Sequence, residues 1–124
     1  MAIFNRQELR LDRNETIYIE VHTAYPASPE NTRLLICNSL DLSANGIRAQ
    51  IDEKLPTNAI YQLAVELHKT GERLHLVGQV KWLSDADDGE GFYIGLSFFE
   101  SDDTDIERWK TYIANELEDK GELS

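Results

Sequence analysis

The hexapeptide Asp41-Leu42-Ser43-Ala44-Asn45-Gly46 ends the second of about six strand-like runs in the sequence. Because side chains alternate along a strand, the first and third residues of this motif are predicted to share one exposed face, opposite the apolar one. Gly46 stands where the chain turns, and glycine reverses a chain freely with positive φ and lets a ligand approach the backbone closely. The pattern therefore predicts either an ordinary turn or a small platform that presents a carboxylate beside a hydroxyl.

Alternating apolar residues on both sides of this motif predict a sheet. The first run, residues 16–21, places Ile17, Ile19 and Val21 on its inner face. For the second run, residues 33–42, the predicted inner face is Leu34, Ile36, Leu40 and Leu42. The inner faces predicted for the third to sixth runs are, in order, Ile47, Ala49 and Ile51; Tyr61, Leu63, Val65 and Leu67; Leu74, Leu76, Gly78, Val80 and Trp82; and Phe92, Ile94, Leu96 and Phe98.

The apolar period changes from two to about four after residue 101, which predicts a helix. Thr104 and Glu107 have the spacing of a capping box, and Gly121 is expected to end the helix. An apolar stripe would dock the helix on the sheet, so its tryptophan is assigned to packing; the stripe consists of Ile106, Trp109, Ile113 and Leu117.

Six short strands followed by one helix predict a mainly β protein, a six-stranded antiparallel β-barrel with one C-terminal α-helix. Closing the sheet removes exposed strand edges, which a domain of 124 residues can hardly cover in another way. We expect a single domain with three parts. These are a flexible N-terminal arm that bears arginines (residues 1–13), the barrel (14–100), and the helix with its tail (101–124).

The composition of the chain limits which partners and which cellular compartment are expected. The net charge of −11 argues against DNA or long RNA as partners, because phosphate binding needs an extended basic surface. The single cysteine, Cys37, excludes an internal disulfide, so a reducing compartment is expected. No apolar run has the length of a membrane span, and the N-terminus lacks a signal-peptide core. These features predict a cytoplasmic protein without membrane insertion.

The arm concentrates positive charge in this acidic chain. Arg6, Arg10 and Arg13 are three of the twelve basic residues. The first two have the spacing Arg-x-x-x-Arg, which brings both to one side if the arm makes a helical turn. They either bind a small anion or pair with nearby carboxylates such as Glu8 and Asp12.

The segments Arg6-Gln7-Glu8-Leu9-Arg10 and Asp41-Leu42-Ser43-Ala44-Asn45-Gly46 flank the first strand. In this order and separation they resemble the paired signature of the PilZ domain family. Val80-Lys81-Trp82 and Gly95-Leu96-Ser97-Phe98 strengthen the resemblance, which covers essentially the whole chain. The resemblance implies a PilZ-type barrel that binds the bacterial second messenger cyclic di-GMP, with no other cofactor and no metal.

By this resemblance the ligand-binding residues are Arg6, Arg10, Asp41, Ser43 and Gly46, and Trp82 is added as a surface on which a base can stack. Guanidinium groups match phosphate oxygens and the O6 and N7 acceptors of guanine. The carboxylate suits the donor groups N1–H and N2–H₂ of guanine, and the hydroxyl can donate or accept beside it.

Many family members have a further arginine before the pair, where this chain has Asn5, so the resemblance leaves open whether one or two ligands bind. The main alternative is a PilZ-like domain that binds protein rather than nucleotide, as in type IV pilus assembly. An enzyme is not expected, because the three histidines lie at no metal-ligand spacing and Cys37 has no identifiable base.

A receptor of this kind must pass its signal to an unidentified downstream protein, in motility or in biofilm processes such as adhesion and polysaccharide export. We expect the arm to order on the barrel when the ligand arrives, which would create a composite surface for that partner.

Overall fold

The structure, a computed structural model, describes residues 9–22 and 29–120. Within them the strands form a closed antiparallel barrel in the spatial order β1-β2-β3-β6-β5-β4, followed by one α-helix, α1. The bounds are β1 (Thr16–His22), β2 (Thr32–Ser43), β3 (Gly46–Ile51), β4 (Ile60–Glu66), β5 (Arg73–Asp85), β6 (Phe92–Phe98) and α1 (Ile106–Asp119). The predicted fold class is therefore confirmed.

The barrel interior is filled by the residues that alternation predicted for β1, β3, β4 and β6. Ile17, Ile47, Val65 and Ile94 are completely buried there. Such β-branched residues suit a pleated surface that is buried on one side, and their removal from water stabilises the barrel.

The inner face predicted for β2 is wrong over most of the strand. Leu34 and Ile36 point outward and are 56% and 60% exposed, and Leu40 is exposed as well. The residues that face the core are Leu35, Cys37 and Ser39. Because residues 34–37 are all apolar, alternation does not decide which face is inside, and packing against the other strands does.

A β-bulge explains how β2 changes face before it ends. The pairing of β2 with β3 shifts register between Ser39 and Asp41, which leaves Leu40 as an extra residue. Beyond the bulge Leu42 is fully buried and pairs with Ile47. The bulge thus returns the strand to the alternation that the sequence predicts for its last residues.

The prediction that Trp82 faces the core is wrong, because a second bulge lies just before this residue. The pairing of β5 with β6 shifts register between Val80 and Trp82, with Lys81 as the extra residue. Val80 is fully buried, whereas Trp82 lies on the outside of the barrel opposite Gly95 and is 40% exposed. Alternation alone would have continued the buried face by one residue too many.

Helix α1 packs on the barrel through the predicted stripe, and all four residues of the stripe are buried. Trp109 is completely buried, and its Nε1–H donates to the carbonyl of Ser43 over 2.9 Å. Its ring meets Phe98 edge-on, with 5.4 Å between the ring centroids. The helix therefore covers the end of β2, and the assignment of Trp109 to packing is confirmed.

The predicted capping box is wrong. The N-cap is Asp105, and Thr104 instead donates its hydroxyl to the carbonyl of Ser101. Asp105 exchanges two hydrogen bonds of 2.8 Å with the backbone of His75, one through its N–H and one through its carboxylate. The helix start is fixed by strand β5, and this tertiary contact replaces the local cap. The expected end at Gly121 lies outside the described residues.

Part of the predicted arm is described, and it is docked. Leu11 is fully buried and exchanges backbone hydrogen bonds of 2.8 and 2.9 Å with Leu42. Arg13 donates to Glu116 over 2.8 Å and to the hydroxyl of Tyr112 over 3.0 Å. This segment therefore connects the end of β2 to α1.

The two tryptophans give a matched test of this packing. Trp109→Phe removes the hydrogen bond to the Ser43 carbonyl and leaves a buried void, so we expect the free energy of unfolding to fall by about 1–3 kcal/mol. Trp82→Phe changes a half-exposed residue and should cost less than about 0.5 kcal/mol. Urea denaturation followed by far-ultraviolet circular dichroism measures both; equal losses would contradict the docking of α1.

Candidate functional site

An open cavity lies on the outer face of the barrel where β3, β5 and β6 meet the arm. Its lining residues come from four segments and include the charged or aromatic residues Arg10, Arg48, Lys81 and Trp82 and the glycines Gly46 and Gly95. The two bulges lie at its border, because one precedes Asp41 and the other turns the indole of Trp82 outward. The bulge of β5 therefore supplies two of the lining residues, Lys81 and Trp82.

Asp41 holds two arginines at the edge of this cavity. Arg10 Nε donates to Oδ1 over 2.6 Å, and Arg48 Nε donates to Oδ2 over 2.7 Å. A terminal nitrogen of Arg48 also contacts Oδ2. The Asp41 side chain is only 4% exposed, so these partners replace its water.

The two arginines control the ionisation of Asp41. Burial acts to raise the pKa of this carboxyl, but the hydrogen bonds from Arg48 and Arg10 outweigh burial and hold the pKa below its ordinary value. The hydrogen bond to Asp41 in turn raises the pKa of Arg48. With Lys81 also at the cavity, three cations lie near the carboxylates of Asp41 and Asp12, and an excess of positive charge remains in a chain whose net charge is −11. The cavity suits an anion.

Arg48 was not among the predicted site residues, although the sequence carries a signal for it. Ser43 pairs with Gly46 across the tight turn of the β2–β3 hairpin, and Asp41 accordingly pairs with Arg48. Counting outward from the turn would have placed these opposite charges side by side on neighbouring strands.

Ser43 is close to the cavity but is covered. It is completely buried, its hydroxyl donates to the carbonyl of Gly46 over 3.3 Å, and its own carbonyl accepts from Trp109. The sequence predicted an exposed platform of Asp41 and Ser43; the arginines and α1 cover both residues instead. Ser43 therefore contributes to the shape of the hairpin under the helix.

Gly46 is required for a different reason than the sequence indicated. Its φ is not positive. A Cβ at this position would overlap the carbonyl oxygen of Leu96 on β6, so glycine permits the close approach of β3 and β6. Gly95 has a similar role beside Trp82, because its missing side chain leaves the space that the indole occupies.

The predicted site residues are therefore only partly brought together. Arg10, Asp41, Gly46 and Trp82 meet at the cavity or its edge, Ser43 lies beneath it, and Arg6 lies outside the described residues.

A larger groove lies on another side of the barrel, over β1, β4 and β5. Its guanidinium, Arg73, is hydrogen-bonded to Glu66 over 3.0 Å and lies over the Tyr18 ring, 4.4 Å from the centroid. The groove contains no residue of the two sequence motifs. Because Glu66 neutralises the positive charge of Arg73, we expect this groove to attract an anion less strongly than the cavity beside Arg10 and Arg48 does.

Within residues 9–22 and 29–120, no three or more histidine, cysteine, aspartate or glutamate side chains are grouped as metal ligands. None of the helices there combines the length and apolar character needed to cross a membrane.

The lowered pKa of Asp41 predicts how its contribution to stability depends on pH. A carboxyl with a lower pKa in the folded than in the unfolded chain stabilises the fold fully above its unfolded pKa, about 3.9, and loses that contribution as the pH falls through the folded value. We therefore expect Asp41→Asn to lower stability more at pH 7 than at pH 3. Urea denaturation at both values tests this; a difference from wild type that does not shrink in acid would contradict the ion-pair assignment.

The two close glycines predict opposite outcomes for the same substitution. Gly95→Ala meets only the exposed indole, which can move outward, so we expect little loss of stability and a shifted Trp82 indole resonance. Gly46→Ala meets backbone and should cost about 1–3 kcal/mol. Nitrogen–proton spectra and urea denaturation measure the two effects, with the buried Trp109 indole as internal control. An unmoved Trp82 resonance in Gly95→Ala would contradict the described contact.

Comparison with known proteins identifies others with the same barrel fold. Three solved structures share the fold: the Bacillus subtilis inhibitor of motility MotI/DgrA (18% identity, TM-score 0.68), YcgR from Escherichia coli in complex with c-di-GMP (19%, 0.66), and the PilZ domain of Escherichia coli YcgR with c-di-GMP (16%, 0.61). They are matched over 95%, 94% and 98% of this chain and over 54%, 47% and 100% of their own. This chain thus spans about half the length of the first two.

No curated protein matches the sequence. At identities below 20% the solved structures show the common fold alone. The family model described as PilZ domain, however, matches residues 4–115, which include both motifs, all six strands and most of α1. This match confirms the resemblance found in the sequence, and the chain belongs to the PilZ domain family.

Proposed function

We propose that this protein is a cytoplasmic receptor for cyclic di-GMP that acts as an adaptor for a downstream protein, and not as an enzyme. The observation that carries the proposal is the cluster of Arg10, Asp41 and Arg48 at the edge of a cavity that also contains Trp82. The cluster joins an anion-binding charge to a carboxylate acceptor in a strongly acidic chain. The c-di-GMP complex of YcgR, which has the same fold, supports this choice of ligand.

The ligand has two phosphates and two guanines, and the cluster offers a group for each. Arginine forks bind phosphate oxygens or the O6 and N7 atoms of guanine. The two arginines occupy three of the about four acceptor positions of the Asp41 carboxylate, so one position remains for the N1–H group of guanine without release of either arginine. Arg10 is fixed by Asp41 next to the cavity, which reduces the entropy lost on binding.

Trp82 is proposed as the stacking surface. Its indole stands on the outer face against Gly95, with 40% of the residue exposed to the cavity and to solvent. Base–aromatic stacking contributes about 1–3 kcal/mol per base. The outward turn of Trp82 at the bulge supports this role better than the core position that alternation predicted.

The remaining predicted residues take supporting roles in the proposal. Gly46 holds β3 close to β6 under the cavity, and Ser43 fixes the hairpin that carries Asp41. Arg6, the first arginine of Arg-x-x-x-Arg, is proposed as a ligand-binding residue on the sequence motif alone.

The arm provides a route from ligand to partner. Arg10 contacts Asp41, and three residues later Arg13 contacts Glu116 and Tyr112 on α1. Lys69 donates to the same Glu116 carboxylate over 3.0 Å. We propose that a ligand that binds Arg10 alters these contacts between the arm and α1. The arm and α1 together would then form the surface that the downstream protein binds. Control of motility, as the name of MotI indicates for that protein, is one process in which such an adaptor would act.

Calorimetric titration of cyclic di-GMP into the protein tests the proposal. Arg10→Ala should weaken binding about 10- to 150-fold, because it removes a charge-assisted hydrogen-bond donor from the site. Arg33→Ala is the matched control, since Arg33 is also an arginine in an ion pair, with Glu53, but does not line the cavity. It should bind as wild type does.

Two outcomes would contradict the proposal. Wild-type protein that does not bind would favour the alternative, a PilZ domain that contacts protein partners without nucleotide. Binding that Arg10→Ala and Arg33→Ala weaken equally would mean that the ligand responds to overall charge and not to this cavity.

A further inference from the structure

We propose that Arg48 makes the site selective for guanine over adenine, by donating to guanine O6 while the remaining acceptor position of Asp41 accepts from the adjacent N1–H group. The inference rests on the proposed function and adds a specificity residue that lies outside both sequence motifs. It starts from the position of Arg48 beside Asp41 on the neighbouring strand.

Arg48 retains donors after it has paired with Asp41. Its Nε and Nη2 are directed at Oδ2, and among the described residues Nη1 makes no hydrogen bond. A guanidinium has five N–H donors, so several remain. The Arg48 side chain is 49% exposed and lines the cavity, whereas that of Asp41 is 4% exposed. The pair therefore presents a cation with spare donors next to an acceptor held in place.

This order of donor and acceptor matches one purine edge. Guanine has the acceptor O6 next to the donors N1–H and N2–H₂, whereas adenine has the donor N6–H₂ next to the acceptor N1. With adenine, Arg48 would face a donor and Asp41 would face a lone pair. Mismatched polar groups in a partly buried site lose their hydrogen bonds and repel each other, so the pair disfavours adenine as well as favouring guanine.

Lys81 provides the comparison that separates base recognition from charge. It is an exposed cation that lines the same cavity, but it is the extra residue of the β5 bulge and forms no ion pair with Asp41 among the described contacts. A cation that only attracts phosphate acts equally on both dinucleotides, because their phosphates are identical. A cation that hydrogen-bonds to the base acts differently on the two dinucleotides, because their bases differ.

The test measures the affinities of cyclic di-GMP and cyclic di-AMP for wild type, Arg48→Met and Lys81→Met. Each variant removes one positive charge from the same cavity. We expect Arg48→Met to reduce the ratio of the two affinities at least about fivefold and Lys81→Met to leave it unchanged. The ratio is measured on one folded sample, so a loss of stability in either variant cancels.

Two results would overturn the inference or its basis. If Arg48→Met weakens both dinucleotides equally, the ratio is unchanged, Arg48 acts through charge alone and the inference is wrong. If wild type binds no cyclic di-GMP, the proposed function itself fails. Retained binding with an unchanged ratio rejects only the role of Arg48.

Discussion

The buried carboxylate of Asp41 is the constraint on which the rest of the site depends. A carboxylate that loses its water is stable only if cations and donors replace that water. Arg10 from the arm and Arg48 from β3 do so, one on each oxygen. One side chain on β2 therefore fixes an arginine of the N-terminal segment and an arginine of the next strand, and it leaves both at the edge of one cavity.

The two bulges make this arrangement possible. A closed barrel with regular alternation would offer apolar residues inside and a featureless polar surface outside. One extra residue before Asp41 and one before Trp82 change which residues face outward, and both changes occur around the same cavity. Bulges often aim side chains near functional sites in this way. The interior remains one cluster of buried apolar residues.

The same segments connect the cavity to α1. Ser43 lies at the end of the strand that carries Asp41, and its carbonyl accepts from the buried Trp109. Arg13 follows Arg10 by three residues and holds Glu116, whose pKa it lowers through a hydrogen bond. Cavity, arm and helix thus share contacts at residues 10–13 and 41–43. These shared contacts are the basis for the proposed route from the cavity to α1.

The sequence by itself determined the fold class, the family, the buried faces of four strands and of the helix, and the presence of Arg10, Asp41, Gly46 and Trp82 at one candidate site. These follow from periodicity and from local motifs, which need only neighbouring residues. Only the tertiary structure decided which face of β2 is buried, because Leu34-Leu35-Ile36-Cys37 is apolar at every position. It also decided where alternation breaks, that Asp41 is covered, and that Lys81 joins the site. Those outcomes depend on strand register and on the packing of distant segments, which local periodicity does not contain.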